Sequence, residues 1–246
     1  MTQKINVQGI VKKNMNTMFM KQDSPIFDDG TQHTAVQVVA PGAHMQYTFA
    51  PIEGGAYEHT FELEQNSTLA YSCVLHNEHS LSLRLKIILK EKNACAHIAG
   101  IYLASGNQHV TIHTEQIHCA AATESTLCIN GAVSGSAQVS YEGMIYIAED
   151  AAQTNAALEN KNIVLSEQAR VKSVPSLEVL TNDVHCTHGS AIGYLDEEQL
   201  WYMQSRGLSV QQAKKILLEG FLTATKVVCN DELSKNIRLR VATMVE

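Results

Sequence analysis

The feature that most constrains this chain is an alternation of apolar and polar residues with a period of two. It is clearest over 81–90, where Leu81, Leu83, Leu85, Ile87 and Leu89 fall on one face. Ser82, Arg84, Lys86 and Lys90 fall on the other, and Ile88 alone breaks the rule. Successive side chains of a strand point to opposite faces, so this pattern describes a half-buried β-strand. Weaker versions recur at Val36 and Val38, and at Met45, Tyr47 and Phe49 after Pro41-Gly42. Others are Phe61 and Leu63; Leu69, Tyr71 and Cys73; Val110 and Ile112; and Val139, Tyr141, Gly143, Ile145 and Ile147. Turn clusters such as Gln65-Asn66-Ser67, Lys92-Asn93, Ser105-Gly106-Asn107 and Ser134-Gly135-Ser136 separate these runs. Short strands at such spacing predict an all-β body over 31–192. A sandwich, a barrel and a β-solenoid all fit, and no clean sequence repeat chooses among them. Residues 1–30 are polar, with Ser24-Pro25 and Asp29-Gly30 as turn signals, and read as an irregular N-terminal segment.

After Gly193 the period changes to about 3.6. Asp196 is a good N-cap with Gln199 three residues on, and Gly207 marks that helix's end. A second helix starts at Ser209, with Gln212 in the capping-box position. Its apolar stripe reads as Ala213, Ile216, Leu217, Gly220, Phe221 and Ala224. A third helix is expected over about 231–241. Residues 193–246 thus form a small helical subdomain.

Composition narrows the class. Hydrophobic residues make up 45% and charged residues 17% of 246 residues, enough to bury a core. The formal net charge of −7 disfavours nonspecific nucleic-acid binding, which needs a basic surface. The first fourteen residues contain lysines but no apolar stretch of signal-peptide length, and no window approaches the roughly 20 apolar residues of a membrane span. A cytoplasmic chain with reduced thiols is therefore expected, and its six cysteines include no CxxC pair.

Phosphate-loop, zinc-protease, nucleophile-elbow and dinucleotide motifs are missing, so no nucleotide site and no common enzyme class is expected. What remains is a scatter of Cys and His. Cys95-Ala96-His97 and Cys186-Thr187-His188 each place a thiol and an imidazole on one face of a strand, a pairing suited to iron or zinc but only half a site. Cys95 and His97 otherwise read as ordinary strand residues. Cys73, Cys95 and Cys119 read as cysteines that stack in a solenoid interior, and His109, His113 and His118 as lining one strand face. Glu58, Glu62 and Glu64 are the carboxylates that a polysaccharide-acting β-solenoid enzyme would use; a solvated strand face is the plainer reading.

The segment from Asp183 to Gly207 resembles the C-terminal signature of SufD proteins, roughly D-V-x-C-S-H-G-A-x-x-G-x-L-D-x-E-x-L-F-Y-L-x-S-R-G. Upstream, Asn162 to Ser166 and Pro175 to Val179 look like the N-L-L-L-S and P-x-L-E-I stretches of that family. Downstream, Ala213 to Phe221 resembles its A-x-x-L-L-x-x-G-F helix. Thr187, Ser190, Trp201 and Met203 depart from the usual residues. The resemblance to the SufB/SufD family implies a right-handed parallel β-helix followed by a small helical subdomain. It implies a scaffold, not an enzyme, on which an iron–sulfur cluster is transiently held in a complex with a SufC-type ATPase. The other partner implied is a SufB-like subunit or a second copy of the chain. Residue by residue, Cys186 and His188 match the family's cysteine and histidine near the SufB–SufD interface, and so read as cluster or iron ligands. The helices from Asp196 onward match the ATPase-docking subdomain, with Asp196, Trp201, Tyr202, Arg206, Gly207, Leu217 and Phe221 as candidate contacts. For the apolar members, packing between the helices is the ordinary alternative. Usual members carry an N-terminal helical region, so this chain reads as a short form without it.

Overall fold

Alternating sequences make strands, and here each strand hands the chain to the opposite sheet. The computed structural model describes residues 18–20 and 25–245. Its strands, in chain order, are β1 (Met18–Met20), β2 (Ile26–Asp28), β3 (Thr34–Val39), β4 (His44–Phe49), β5 (Gly55–Leu63), β6 (Thr68–Leu75) and β7 (Leu81–Leu89). They continue as β8 (Cys95–Ala104), β9 (His109–His118), β10 (Glu124–Val133), β11 (Gln138–Ile147), β12 (Thr154–Val164), β13 (Arg170–Val179) and β14 (Val184–Gly193). Odd-numbered strands form one seven-stranded sheet and even-numbered strands the other, and each strand pairs in parallel with the one two places on. This is a parallel β-helix, as the resemblance implies. Part of the segment read as irregular lies outside the described residues; within it, Met18–Met20 and Ile26–Asp28 are strands.

Register explains why no repeat is visible. Thr34 sits opposite Glu58, 24 residues on, whereas Gln138 sits opposite Arg170, 32 residues on. Strands stack in register, but the corners between them vary in length, so the coil has no constant period. The corner that follows each of the odd strands β3 to β11 uses a left-handed residue: Gly42 (φ 66°), Asn66 (56°), Asn93 (60°), Ala122 (57°) and Gln153 (61°). These corners hydrogen-bond to the next coil. The Asn66 N–H donates to the Lys92 carbonyl at 3.1 Å, and Asn93 Nδ2 donates to Asn66 Oδ1 at 2.9 Å. Asparagine tolerates this conformation and advertises the turn. Ala122 does neither, and the Ala152 carbonyl that accepts its N–H at 2.8 Å holds it there.

One face of every strand fills the space between the sheets. Tyr47, Phe49, Tyr57, Phe61 and Tyr71 pack together in the early coils, and Leu83, Ile112 and Tyr141 stack in register further on. Each large apolar side chain so buried stabilises the fold by roughly 1.5–3 kcal/mol. Of the three cysteines expected to stack inside, only Cys73 is interior. Cys73 lies opposite Gly100, while Cys95 lies opposite Thr68 and Glu124 on the outer face. Cys119 sits at a corner, just past β9. Similar intervals did not match the coil length, so the three do not form a column. The histidines divide for a simpler reason. His109 and His113 point outward, but His118 has the opposite parity and is fully buried.

After β14 come α1 (Glu197–Ser205), α2 (Val210–Thr223) and α3 (Asp231–Met244). Asp196 caps α1 by accepting from the Glu198 and Gln199 N–H groups, Ser209 and Gln212 form a capping box on α2, and Asn230 caps α3. Gly207, at φ 93°, ends the first helix. Leu218, Leu222, Leu233, Val241 and Met244 form a second core against Val74, Ile101, Leu103 and Ala132 on the outside of the even sheet. The buried face of α2 is therefore Ala213, Leu218 and Leu222, rotated from the expected stripe. Ile216, Gly220 and Ala224 are exposed, because α2 must meet the sheet and α3 together. Among the described residues, no helix is long and apolar enough to cross a membrane.

Candidate functional site at the open end of the solenoid

Both sheets end abruptly. β13 is the last strand of the odd sheet and β14 the last of the even sheet. The register of β14 on β12 decides which side chains point inward. Cys186 lies opposite Ala156 and His188 opposite Leu158, and both of those partners are interior residues. Cys186 and His188 therefore continue two interior columns, on a coil that no further coil covers among the described residues. Cys186 is half-buried and packs against the core, while His188 is exposed. Burial pushes the Cys186 thiol above its ordinary pKa.

The rest of this open layer mixes apolar and polar groups. Ile192 on β14 is 49% exposed and Leu177 on β13 is 40% exposed, both unusual for inward-facing apolar side chains. In the same layer a hydrogen-bonded row crosses from sheet to sheet. Ser190 Oγ donates to Ser173 Oγ at 2.8 Å, and Ser173 Oγ donates to Asn160 Oδ1 at 2.8 Å. Nothing in the sequence marked this row, because each member is a common polar residue whose partner lies on another strand.

The site is incomplete as a metal centre. Among the described residues, no three His, Cys, Asp or Glu side chains converge. Cys186 and His188 are two side chains of ligating type, fewer than a four-coordinate metal requires.

The second Cys-x-His pair lies elsewhere, on the outer face of the even sheet. Cys95 Sγ is 3.3 Å from His97 Nε2, and His97 Nδ1 is 2.9 Å from Thr126 Oγ1. Burial, helped by Glu124, pushes the Cys95 thiol up to about 11, so it holds its proton near neutrality. The outer-face carboxylates Glu58 and Glu62 are engaged with Arg84 at 3.7 Å and Lys90 at 2.9 Å.

The candidate docking residues sit on the opposite side of the Gly193 junction. No residue of α1 is buried. Trp201 is 71% and Tyr202 55% exposed. The Arg206 guanidinium lies 5.2 Å from the Tyr202 ring centre and donates to its hydroxyl at 3.1 Å. Asp196 and Gly207 serve as the N-cap and the terminating glycine of α1. Leu217 is half-buried on α2. Phe221 packs into the second core, and its carbonyl accepts from Asn130 Nδ2 at 2.7 Å. Arg240 was not expected at all. It is only 13% exposed and ties α3 to the coil corners through Glu78, Ser105 and Gln108.

The sequence matches, over residues 10–221, the family described as "SUF system FeS cluster assembly, SufBD core domain". Among curated relatives it is similar to the iron–sulfur cluster assembly protein SufD of Escherichia coli K12, 25% identical over 82% of this chain and 49% of that protein. An iron–sulfur cluster assembly SufBD family protein of Mycobacterium leprae is 34% identical over 51% of this chain and 34% of its own length. The SufB protein of Bacillus subtilis is 25% identical over 81% of this chain and 44% of its own. The chain thus spans half or less of the length of these relatives.

Proposed function

The chain belongs to the SUF-system SufBD core family, and from that membership we propose that it is a SufD-like scaffold subunit on which an iron–sulfur cluster is assembled. The observation that carries this reading is the placement of Cys186 and His188. They are two inward-facing side chains of ligating type on the last strand of a solenoid end that no further coil covers among the described residues. A cluster held there takes its other ligands from the chain that covers the end, either a SufB-like subunit or a second copy. The exposed edge strands β13 and β14 supply unpaired backbone groups, and Leu177 and Ile192 supply apolar area, for that contact. We favour His188 as a ligand for its exposure at the solenoid end; burial opposes the loss of the proton that the Cys186 thiol must give up to bind metal.

Energy input comes from outside the chain. A SufC-type ATPase docks on the helical subdomain, and the bare aromatic surface of α1 around Trp201 and Tyr202 is the contact we assign to it. The cluster is cargo, and ATP hydrolysis belongs to the partner.

Two measurements test this reading. The chain should co-purify with a SufC-type ATPase; no association with or without ATP would overturn the docking assignment. Anaerobic incubation with iron and sulfide, together with the covering subunit, should give cluster absorbance. A Cys186→Ala/His188→Ala double variant that develops the same absorbance would remove these residues from the ligand set.

A further inference from the structure

The last coil has a mechanical problem that the inner coils lack. Inner strands are fixed by ladder partners on both sides and by interior packing above and below. Among the described residues, β13 and β14 have a ladder partner on one side only, and their inward side chains are more exposed than those of the inner coils. Apolar contact alone therefore specifies poorly where these two strands sit relative to each other.

Hydrogen bonds take over at this coil. Ser190 on β14 reaches Ser173 on β13, which reaches Asn160 on β12. The row leaves the even sheet, touches the odd sheet and returns one coil deeper. Asn160 is fully buried and its orientation is pinned. Its Oδ1 accepts from Ser173 Oγ and from Asn162 Nδ2, the latter at 2.8 Å, and its Nδ2 donates to the Ile129 carbonyl at 3.1 Å. Asn162 Nδ2 also donates to the Ala191 carbonyl of β14 at 3.3 Å. Asn160 Oδ1 can only accept, so Ser173 gives its one hydroxyl proton to it and accepts from Ser190. Ser190 lies two residues past His188 on the same face of the same strand, about 7 Å away.

We propose that the Ser190–Ser173–Asn160 row is a positioning device: it sets the separation of the two edge strands in the uncovered coil, and through β14 it sets where Cys186 and His188 are presented. Ser173 is the positioning residue at its centre. It touches neither ligand and acts through the strand that carries them. The positioning role rests on the reading of Cys186 and His188 as ligands; the strut itself does not.

The test compares Ser173→Ala, which removes the hydroxyl, with Ser173→Thr, which keeps one. Ser173 is half-buried, so neither change empties a large volume. Amide hydrogen exchange over 186–193 should quicken at least about 3-fold in Ser173→Ala and return toward the parent rate in Ser173→Thr, with β7 to β10 unchanged. Equal rates in the parent and Ser173→Ala would overturn the strut. Iron–sulfide absorbance with the covering subunit should fall at least about 2-fold in Ser173→Ala and recover in Ser173→Thr. Faster exchange with full absorbance would overturn the positioning role. Full absorbance in the Cys186→Ala/His188→Ala variant would instead overturn the ligand reading and the positioning role with it, and the exchange comparison would still judge the strut.

Discussion

The Tyr102 hydroxyl donates to Asn162 Oδ1, although the two residues belong to coils separated by a third. The residue between them in register is Gly131, opposite Tyr102 on one side and Asn162 on the other. A Cβ on Gly131 would overlap the Tyr102 ring, so the glycine is the passage through which the phenol reaches its partner. Asn162 then engages Asn160, which joins this deep contact to the row at the open end.

Gly131→Ala should therefore destabilise the chain by about 1–3 kcal/mol, because the fully buried ring must shift to admit the methyl group. Urea titration will measure the change. In a Tyr102→Ala background the same substitution should cost far less, and equal costs in both backgrounds would show that the ring is not the obstacle.

Stability should fall on mild acidification because two histidines are buried neutral. Burial lowers the His59 pKa to about 4 despite the nearby Asp28, and burial lowers the His118 pKa to about 4. The His118 neighbours agree with a neutral ring. Thr123 Oγ1 donates to the Ala120 carbonyl and so accepts from Nδ1–H at 2.8 Å, leaving Nε2 to accept from Ser125 Oγ at 2.8 Å. In the unfolded chain both titrate near 6.5. Between these values the unfolded state binds more protons, so the contribution is full above about pH 6.5 and is lost as pH falls toward 4. Each residue should remove on the order of 2 kcal/mol between pH 7.5 and 5. Urea midpoints of the parent and His118→Gln across this range will check it; the variant should show the shallower slope.

Arg240→Ala should loosen α3. It removes donors to Glu78 Oε1 at 2.8 Å, Ser105 Oγ at 2.8 Å and Gln108 Oε1 at 3.2 Å. A loss of about 2 kcal/mol is expected, read as faster amide exchange in 231–244 and earlier proteolysis there. Arg240→Lys should recover less than half of it, because one ammonium cannot reproduce the guanidinium fork.

Trp201→Ala and Tyr202→Ala should behave in the opposite way. Both side chains are more than half exposed, so stability should change by less than about 0.5 kcal/mol. Affinity for a SufC-type ATPase should fall at least about 10-fold if α1 is the docking element, and titration calorimetry with each variant will measure it.

Much of the secondary structure was legible locally. Leu81 to Leu89 announces a strand because its apolar side chains all take one parity. Asp196, Ser209 and Gly207 announce helix ends because their chemistry satisfies or terminates a helix within three residues. Less was legible in β9, where the interior parity passes from Val110 and Ile112 to Thr114, Gln116 and His118. Those polar side chains are buried because partners on other strands satisfy them, including Ser125 and Tyr141. No local pattern reports such a partner.

The site divides along the same line. Sequence by itself determined that Cys186 and His188 share a face, because residues two apart on a strand always do. It also determined the N-caps of the first two helices, Asp196 and Ser209, and, through the signature from Asp183 to Gly207, the family. Only the tertiary structure decided that this shared face is the inner one, that no coil follows it among the described residues, and that Ser173 and Asn160 hydrogen-bond beside it. It also decided that α2 buries Leu218 and Leu222 and leaves Ile216 exposed. Those outcomes depend on register with strands about thirty residues away and on which surfaces are left over once the coils have stacked.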